Sequence, residues 1–200
     1  MIDELPPRLI VMALELEGQS VFEKRGIPVL YCGVGKVNAT YALTRRLADY
    51  RHAARALPHV LNFGTAGSRR HRAGTVVECH AFVQRDMDVT GLGVQLGTTP
   101  FDADVPARLD FPPVFPQLTP AVCGTGDSFA TTQCAIECDV VDMEGYALAK
   151  VCWLERTRFT AVKSVTDGAD TQAGADWQSN LHHAAERFLQ LYEHLEEKDP

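Results

Sequence analysis

The 200-residue sequence has no excess of positive charge: 19 Lys and Arg stand against 26 Asp and Glu, for a formal net charge of -7. Its longest basic run is Arg69-Arg70-His71-Arg72, too little to build a field for a phosphate backbone, so nucleic acid is not an expected partner. No apolar run approaches the length of a membrane span, so no membrane is expected as a partner either. The first residues, Met1-Ile-Asp-Glu-Leu-Pro-Pro7, lack the basic and apolar blocks of a signal peptide, and a cytoplasmic location is expected. There is no C-x-x-C pair. The six cysteines Cys32, Cys79, Cys123, Cys134, Cys138 and Cys152 are scattered, several within strand-like apolar runs, and read as reduced core residues. Cys134 and Cys138 have the spacing of one helical face, and His182-His183 is a histidine pair, but adjacent helical residues do not face one ligand, so no metal is expected. Internal repeats, low-complexity tracts, interdomain linkers and a G-x-S-x-G elbow are also missing. Serine-based hydrolysis therefore has no support, and one domain over residues 1–200 is the expectation.

What is present alternates. Arg8 to Leu14 and Ile27 to Cys32 read as buried strands, the second ending in Gly33-Val-Gly35. From Lys36 to Arg51, Ala39, Leu43, Leu47 and Tyr50 recur at helical spacing, so one face is buried. His59 to Phe63 leads as a strand into Gly64-Thr-Ala-Gly67, and further strands are predicted at Gly74 to Val83, Ala121 to Gly124, Asp139 to Val141 and Arg158 to Ser164. Helices are predicted from about Glu144 to Leu154, burying Ala147, Val151 and Leu154, and from Trp177 to Leu195, burying Leu181, Ala185, Phe188, Tyr192 and Leu195. Gly91 to Pro120 has no periodicity and reads as a long surface loop. Strands alternating with helices indicate an α/β architecture.

In such folds, sites collect at the carboxyl ends of strands. Those ends supply Glu15 and Glu17, Gly33-Val-Gly-Lys36, Gly64-Thr-Ala-Gly67, Asp142-Met-Glu144 and Ser164-Val-Thr-Asp167. Each has an ordinary reading by itself. G-x-G-K without the full P-loop spacing is more often a turn than an anion nest. A Glu at a helix start is usually a dipole partner, and an Asp after a strand is often an N-cap.

Taken in order, these segments resemble the nucleoside phosphorylase superfamily, and within it the methylthioadenosine/S-adenosylhomocysteine nucleosidases. The resemblance rests on Ala13-Leu-Glu-Leu-Glu17, Gly33-Val-Gly-Lys-Val-Asn-Ala39, Asn62-Phe-Gly-Thr-Ala-Gly67, Asp86-Met-Asp-Val-Thr90, Gly126-Asp-Ser-Phe129, Val141-Asp-Met-Glu-Gly-Tyr-Ala147 and Lys163-Ser-Val-Thr-Asp-Gly-Ala-Asp170. It implies a three-layer α/β/α domain with a central mixed, twisted sheet, and hydrolysis of a purine N-glycosidic bond with neither metal nor organic cofactor. Under it Asp167 protonates N7 of the departing base, Glu17 is the base for the attacking water, and Glu144 binds the ribose 2' and 3' hydroxyls. Thr65, where such enzymes usually carry Ser, orients the water. Lys163 stands where many carry Arg, keeping the charge without the planar fork. Phe129 stacks on the base, core packing being its plainer reading, and the Ala130 backbone reads the purine edge. Met143 packs on the sugar, and Val34 and Ala66 join the substrate-contacting positions.

Two segments are shorter than the resemblance implies, one between Leu14 and Pro28 and one from Gly91 to Pro120. The second contributes to the pocket for the 5' substituent across a homodimer interface in the family, so methylthio, homocysteinyl and other 5' groups stay open. Phosphorolysis is the nearest alternative. It requires convergent cations for phosphate, whereas Arg is missing around Gly33 to Lys36 and Gly64 to Gly67 until Arg69, and Glu17 repels an anion. A nucleoside-binding homologue without turnover is a further alternative.

Overall fold

The computed structural model describes residues 7–132, 134–171, 173–180 and 184–198. Its strands are β1 (Arg8–Met12), β2 (Val29–Tyr31), β3 (His59–Gly67), β4 (Val76–Gln84), β5 (Arg108–Asp110), β6 (Thr119–Thr125), β7 (Val140–Asp142) and β8 (Phe159–Asp167). The helices are α1 (Glu15–Gly18), α2 (Lys36–His52), α3 (Gly145–Glu155), α4 (Ala173–Asn180) and α5 (Ala185–Lys198). The strands form one mixed sheet in the order β2-β1-β3-β7-β6-β4-β5, with β8 pairing both β3 and β4. Because β8 bridges two strands that β7 and β6 also connect, the middle of the sheet closes on itself.

Side-chain alternation divides the apolar residues between the two faces of the sheet. Leu9 and Val11 of β1 join a cluster with Ala39, Leu43 and Leu47 of α2 and Leu148 and Cys152 of α3. Ile10 and Met12 join the opposite cluster, with Phe22, Phe63 and Phe188, Leu189 and Leu195 of α5. Helices therefore cover both faces, as the alternating pattern predicts. In α2 the buried residues are Ala39, Leu43, Leu47 and Tyr50, the predicted face.

Several elements differ from expectation. The glycine-rich stretch Gly64 to Gly67 is not a turn after β3 but its second half, paired with β8 from Gly64↔Lys163 to Ala66↔Val165, then shifted at a bulge so that Gly67 faces Asp167. Period-based reading ends such a strand early because glycine and polar residues interrupt the apolar run, yet β8 is buried along its whole length. The segment from Gly91 to Pro120 is not a bare loop. It carries β5, an antiparallel edge on β4, and buries Val105, Leu109 and Phe115. Between Leu14 and Pro28 lies α1, followed by a 3-10 turn at Glu23–Arg25. Leu154 is not on the buried face of α3 but exposed. The helix predicted from Trp177 to Leu195 is two elements, with Ala184 a bend before α5. Leu181 and the His182-His183 pair lie outside the described residues. Cys134 and Cys138 sit in a non-helical stretch, while Cys32, Cys79, Cys123 and Cys152 are buried free thiols.

Candidate active site

At the carboxyl ends of these strands is a cavity of about 220 Å³. Nine of the ten residues predicted for the site line it: Glu17, Val34, Thr65, Ala66, Phe129, Ala130, Met143, Glu144 and Asp167. Lys163 is not among its lining residues.

Glu17 comes from the one-turn helix α1, which brings it back over β1. Its Oε2 accepts the Leu14 N–H (3.2 Å), and its Oε1 accepts the Thr65 N–H (2.8 Å) and the Thr65 hydroxyl (2.9 Å). The carboxylate is buried and anchored by these donors, with capacity left on its oxygens for a further donor inside the cavity. Gly64 permits this approach, because a Cβ there would sit 3.3 Å from both Glu17 Oε1 and Lys163 Nζ.

Lys163 lies beneath the cavity floor, on β8. Its Nζ pairs with Asp142 Oδ2 at 2.9 Å, and both side chains are withdrawn from solvent. Asp142 also accepts the Thr125 hydroxyl at 2.6 Å and the Gly145 N–H at 2.9 Å. Although burial opposes ionisation, the Lys163 charge and these donors hold the Asp142 carboxyl below its ordinary value. The two charges fix the end of β7 and the start of α3, which position Met143 and Glu144.

Glu144 projects from the residue before α3, and its Oε1 accepts the Gly35 N–H at 2.8 Å. Burial first, and then the charge of Asp142, push its carboxyl up to about 7, against the opposing pull of Lys163 and Gly35. Asp167 ends β8. Its Oδ1 accepts the Ala169 N–H and its Oδ2 the Thr166 hydroxyl, both at 2.9 Å. Burial, and then the charges of Asp176 and Asp170, raise it from its ordinary value, against the pull of these two donors. Gly67 makes room for it, since a Cβ there would lie 2.5 Å from Asp167 Oδ1.

Phe129 is 47 % exposed on the cavity wall, which rules out the plain core-packing reading. Its loop is braced by Arg85, whose guanidinium donates to Ser128 Oγ and to the carbonyl oxygens of Gly126 and Ser128. The G-x-G-K segment forms no open anion nest. Asp127 Oδ1 accepts the Lys36 N–H at the start of α2, and Lys36 Nζ pairs with Asp86 at 2.6 Å.

Sequence reasoning missed Arg85, Asp142 and Trp177 as parts of this site. Asp142 was findable: a lysine inside an apolar strand requires a buried counterion, and few carboxylates sit at strand ends. Trp177, whose indole Nε1–H donates to Thr65 Oγ1 at 3.1 Å, stood at the start of a predicted helix with no signal for its direction.

Comparison with known proteins shows the family and the fold. A family model described as the phosphorylase superfamily matches residues 21–196. The 5'-methylthioadenosine/S-adenosylhomocysteine nucleosidase of Marinomonas sp. (strain MWYL1) is 30% identical over 185 residues, covering 82% of this chain and 78% of the relative. The crystal structure of the Helicobacter pylori enzyme of the same name, complexed with a pyrrolopyrimidine-bearing pyrrolidinol, superposes with a TM-score of 0.85 at 20% identity, over 98% of this chain and 100% of that one. Futalosine hydrolase of H. pylori superposes at 0.84 with 19% identity, covering 97% and 98% of the two chains. A family match that runs through nearly all the described sheet, with the acidic residues converging where the sequence motifs place them, means that this chain belongs to the phosphorylase superfamily.

Proposed function

We propose that this chain is a purine nucleosidase acting, as one domain, on a 5'-methylthioadenosine/S-adenosylhomocysteine-type nucleoside, cutting its N-glycosidic bond with water. The observation that carries this reading is the pairing, in one cavity, of an anchored carboxylate (Glu17) with a carboxyl whose buried site disfavours its anion (Asp167). Purine departure requires a proton on the leaving base, and the oxocarbenium-like sugar requires an activated water on its other face. Asp167 gives its proton to N7 of the purine, which leaves with the electron pair of the C1'–N9 bond as that bond breaks. Glu17 takes a proton from the water that attacks C1'. Glu144 accepts the ribose hydroxyls, Met143 packs on the sugar, Phe129 stacks on the base, and the Ala130 backbone reads its edge. Val34 and Ala66 complete the contacts. Lys163 acts from below the floor, holding Asp142 and through it the segment that presents Glu144.

Water rather than phosphate suits this site. Among the described residues near Glu17, Lys163 is committed to Asp142, Lys36 to Asp86, and the Arg85 guanidinium to the 126–129 loop. A phosphate there would face Glu17 with Arg85, whose guanidinium already donates to the 126–129 loop, as the single cation among the lining residues. The protein works in the cytoplasm, and among the described residues no helix is long and apolar enough to cross a membrane. It is a homodimer through the α2/α3 face, where exposed Val37, Tyr41 and Leu154 line an apolar groove.

The test is release of free base from methylthioadenosine, adenosylhomocysteine, adenosine and inosine, with and without phosphate. Phosphate-independent release is expected, and strict phosphate dependence would overturn hydrolysis. Saturable binding without release would make the chain a nucleoside-binding homologue. Glu17→Gln should nearly abolish turnover, and full activity in that variant would remove Glu17 from its role.

A further inference from the structure

The hydroxyl of Thr65 has one proton and two lone pairs. Its oxygen lies 2.9 Å from Glu17 Oε1 and 3.1 Å from the indole Nε1 of Trp177. An indole N–H only donates, so Thr65 Oγ1 must accept from Trp177. The proton on Thr65 is then free to go to Glu17, whose Oε1 also accepts the Thr65 N–H. The arrangement has a single direction: Trp177 to Thr65 to Glu17. Without the indole, the Thr65 hydroxyl is a rotor able to turn toward water or substrate. With it, the hydroxyl is a fixed donor.

Trp177 is itself held in place. It sits on α4, and three residues further along the same helix Asn180 Nδ2 donates to the Thr166 carbonyl at 2.8 Å, fastening α4 to β8 beside Asp167. The indole thus reaches the Glu17 side of the cavity from the strand-helix unit that carries the other acidic residue.

We propose that Trp177 is a positioning residue for the water-activating carboxylate: its indole N–H fixes the Thr65 hydroxyl, which in turn fixes the orientation of Glu17. The inference rests on the reading of Glu17 as base, and goes beyond it by adding a residue that acts through two others. Trp177 also lines the cavity, so it could serve simply as a wall against the substrate. The two roles separate kinetically. A wall contributes to binding alike in ground and transition states and moves KM, whereas a group that orients the base moves kcat.

Trp177→Phe keeps an aromatic wall and removes the N–H. With methylthioadenosine as substrate, kcat should fall about ten-fold, the effect of one lost hydrogen bond, with KM changed less than about two-fold. Thr65→Val should lower kcat as well, and the double variant should be no worse than Thr65→Val alone, because the two residues act in series. If Trp177→Phe fails to fold, as judged by thermal melting, 3-benzothienylalanine incorporated at position 177 replaces the N–H by sulfur in a ring of nearly the same shape, and the same kcat loss is expected. An unchanged kcat, a rise confined to KM, or losses that multiply in the double variant would each overturn the proposal. Glu17→Gln distinguishes its failure from that of the parent reading: if Glu17→Gln keeps wild-type turnover, the base assignment falls, whereas an inactive Glu17→Gln beside a fully active Trp177→Phe removes only Trp177.

Discussion

Lys163 and Asp142 form an ion pair at 2.9 Å between two strands that are not neighbours in the sheet, β8 and β7, each of which pairs with β3. The pair links the floor of the cavity to the segment presenting Met143 and Glu144. Taking one charge from a buried pair leaves the other without compensation, at a cost of about 3–5 kcal/mol. Lys163→Met should therefore lower the urea midpoint of unfolding by that equivalent, and Asp142→Asn added to it should recover part of the loss. The pH dependence has a fixed sign. Asp142 is held below its ordinary value, so its contribution is fully present above about pH 4 and is lost as pH falls through the lower folded value. Lys163→Met should move that loss to higher pH. An unaltered urea midpoint would show that the pair contributes nothing.

The contact between Gly67 and Asp167 gives a second prediction. A methyl at position 67 would stand 2.5 Å from Asp167 Oδ1, so Gly67→Ala must displace the carboxyl proposed to supply the proton. A displacement near 1 Å at a reacting group costs on the order of a hundred-fold in rate. Asp167→Asn, which keeps shape and removes the acid, should cost between about a hundred-fold and ten-thousand-fold in kcat. Steady-state release of adenine measures both. Wild-type kcat in Gly67→Ala would mean that Asp167 has room to move without consequence.

Much of this site was legible in the sequence because its residues occupy strand ends, where a polar residue after an apolar run stands out. That places Glu17, Glu144 and Asp167 among the candidates, and the resemblance of the ordered segments to a known family gives them their expected roles. The parts that were not legible depend on chain crossings. Lys163 reads as a cavity residue on a strand, yet it is buried off the cavity lining with its Nζ paired to Asp142, a residue that does line it. Gly64 to Gly67 reads as a turn, since nothing local tells that β8 pairs beside it and keeps it extended. The edge strand β5 is three residues long, too short for a periodic signal, and is fixed by its pairing with β4. Leu154 shares a helical face with Ala147 and Val151 in sequence, but those two are buried while Trp153 and Leu154, in the last turn of α3, are exposed.

That exposed turn leads to a prediction on assembly. Val37, Tyr41 and Leu154 are all more than half exposed, and together they line one groove between α2 and α3. Contiguous apolar exposure of this kind marks an interaction surface. If two copies meet there, Val37→Glu combined with Leu154→Glu places charges in a desolvated contact and should convert a dimer to a monomer in sedimentation velocity, without unfolding. Neither residue lines the catalytic cavity. A wild-type protein that sediments as a monomer at micromolar concentration would remove the dimer.

Glu144 ties acidity to substrate capture. Its carboxyl is pushed up to about 7, chiefly by burial and then by the charge of Asp142. Only the ionised form accepts from both ribose hydroxyls, so kcat/KM should fall about ten-fold per pH unit below about 7, the limb belonging to the free enzyme. Bound hydroxyls favour the anion, and kcat should keep its value to lower pH. Glu144→Gln should be weakly active and lack that limb. Stability follows the opposite sense. Between 4.5, the ordinary value, and about 7 the folded chain holds a proton that the unfolded chain has released, so the contribution of this group to stability falls as pH rises through the window. Asp167 is raised as well, first by burial and then by the charges of Asp176 and Asp170, the direction that favours the protonated form required for leaving-group activation. A Glu144→Gln profile that retained the acid limb would assign that ionisation to another group and leave Glu144 without its role in binding the sugar.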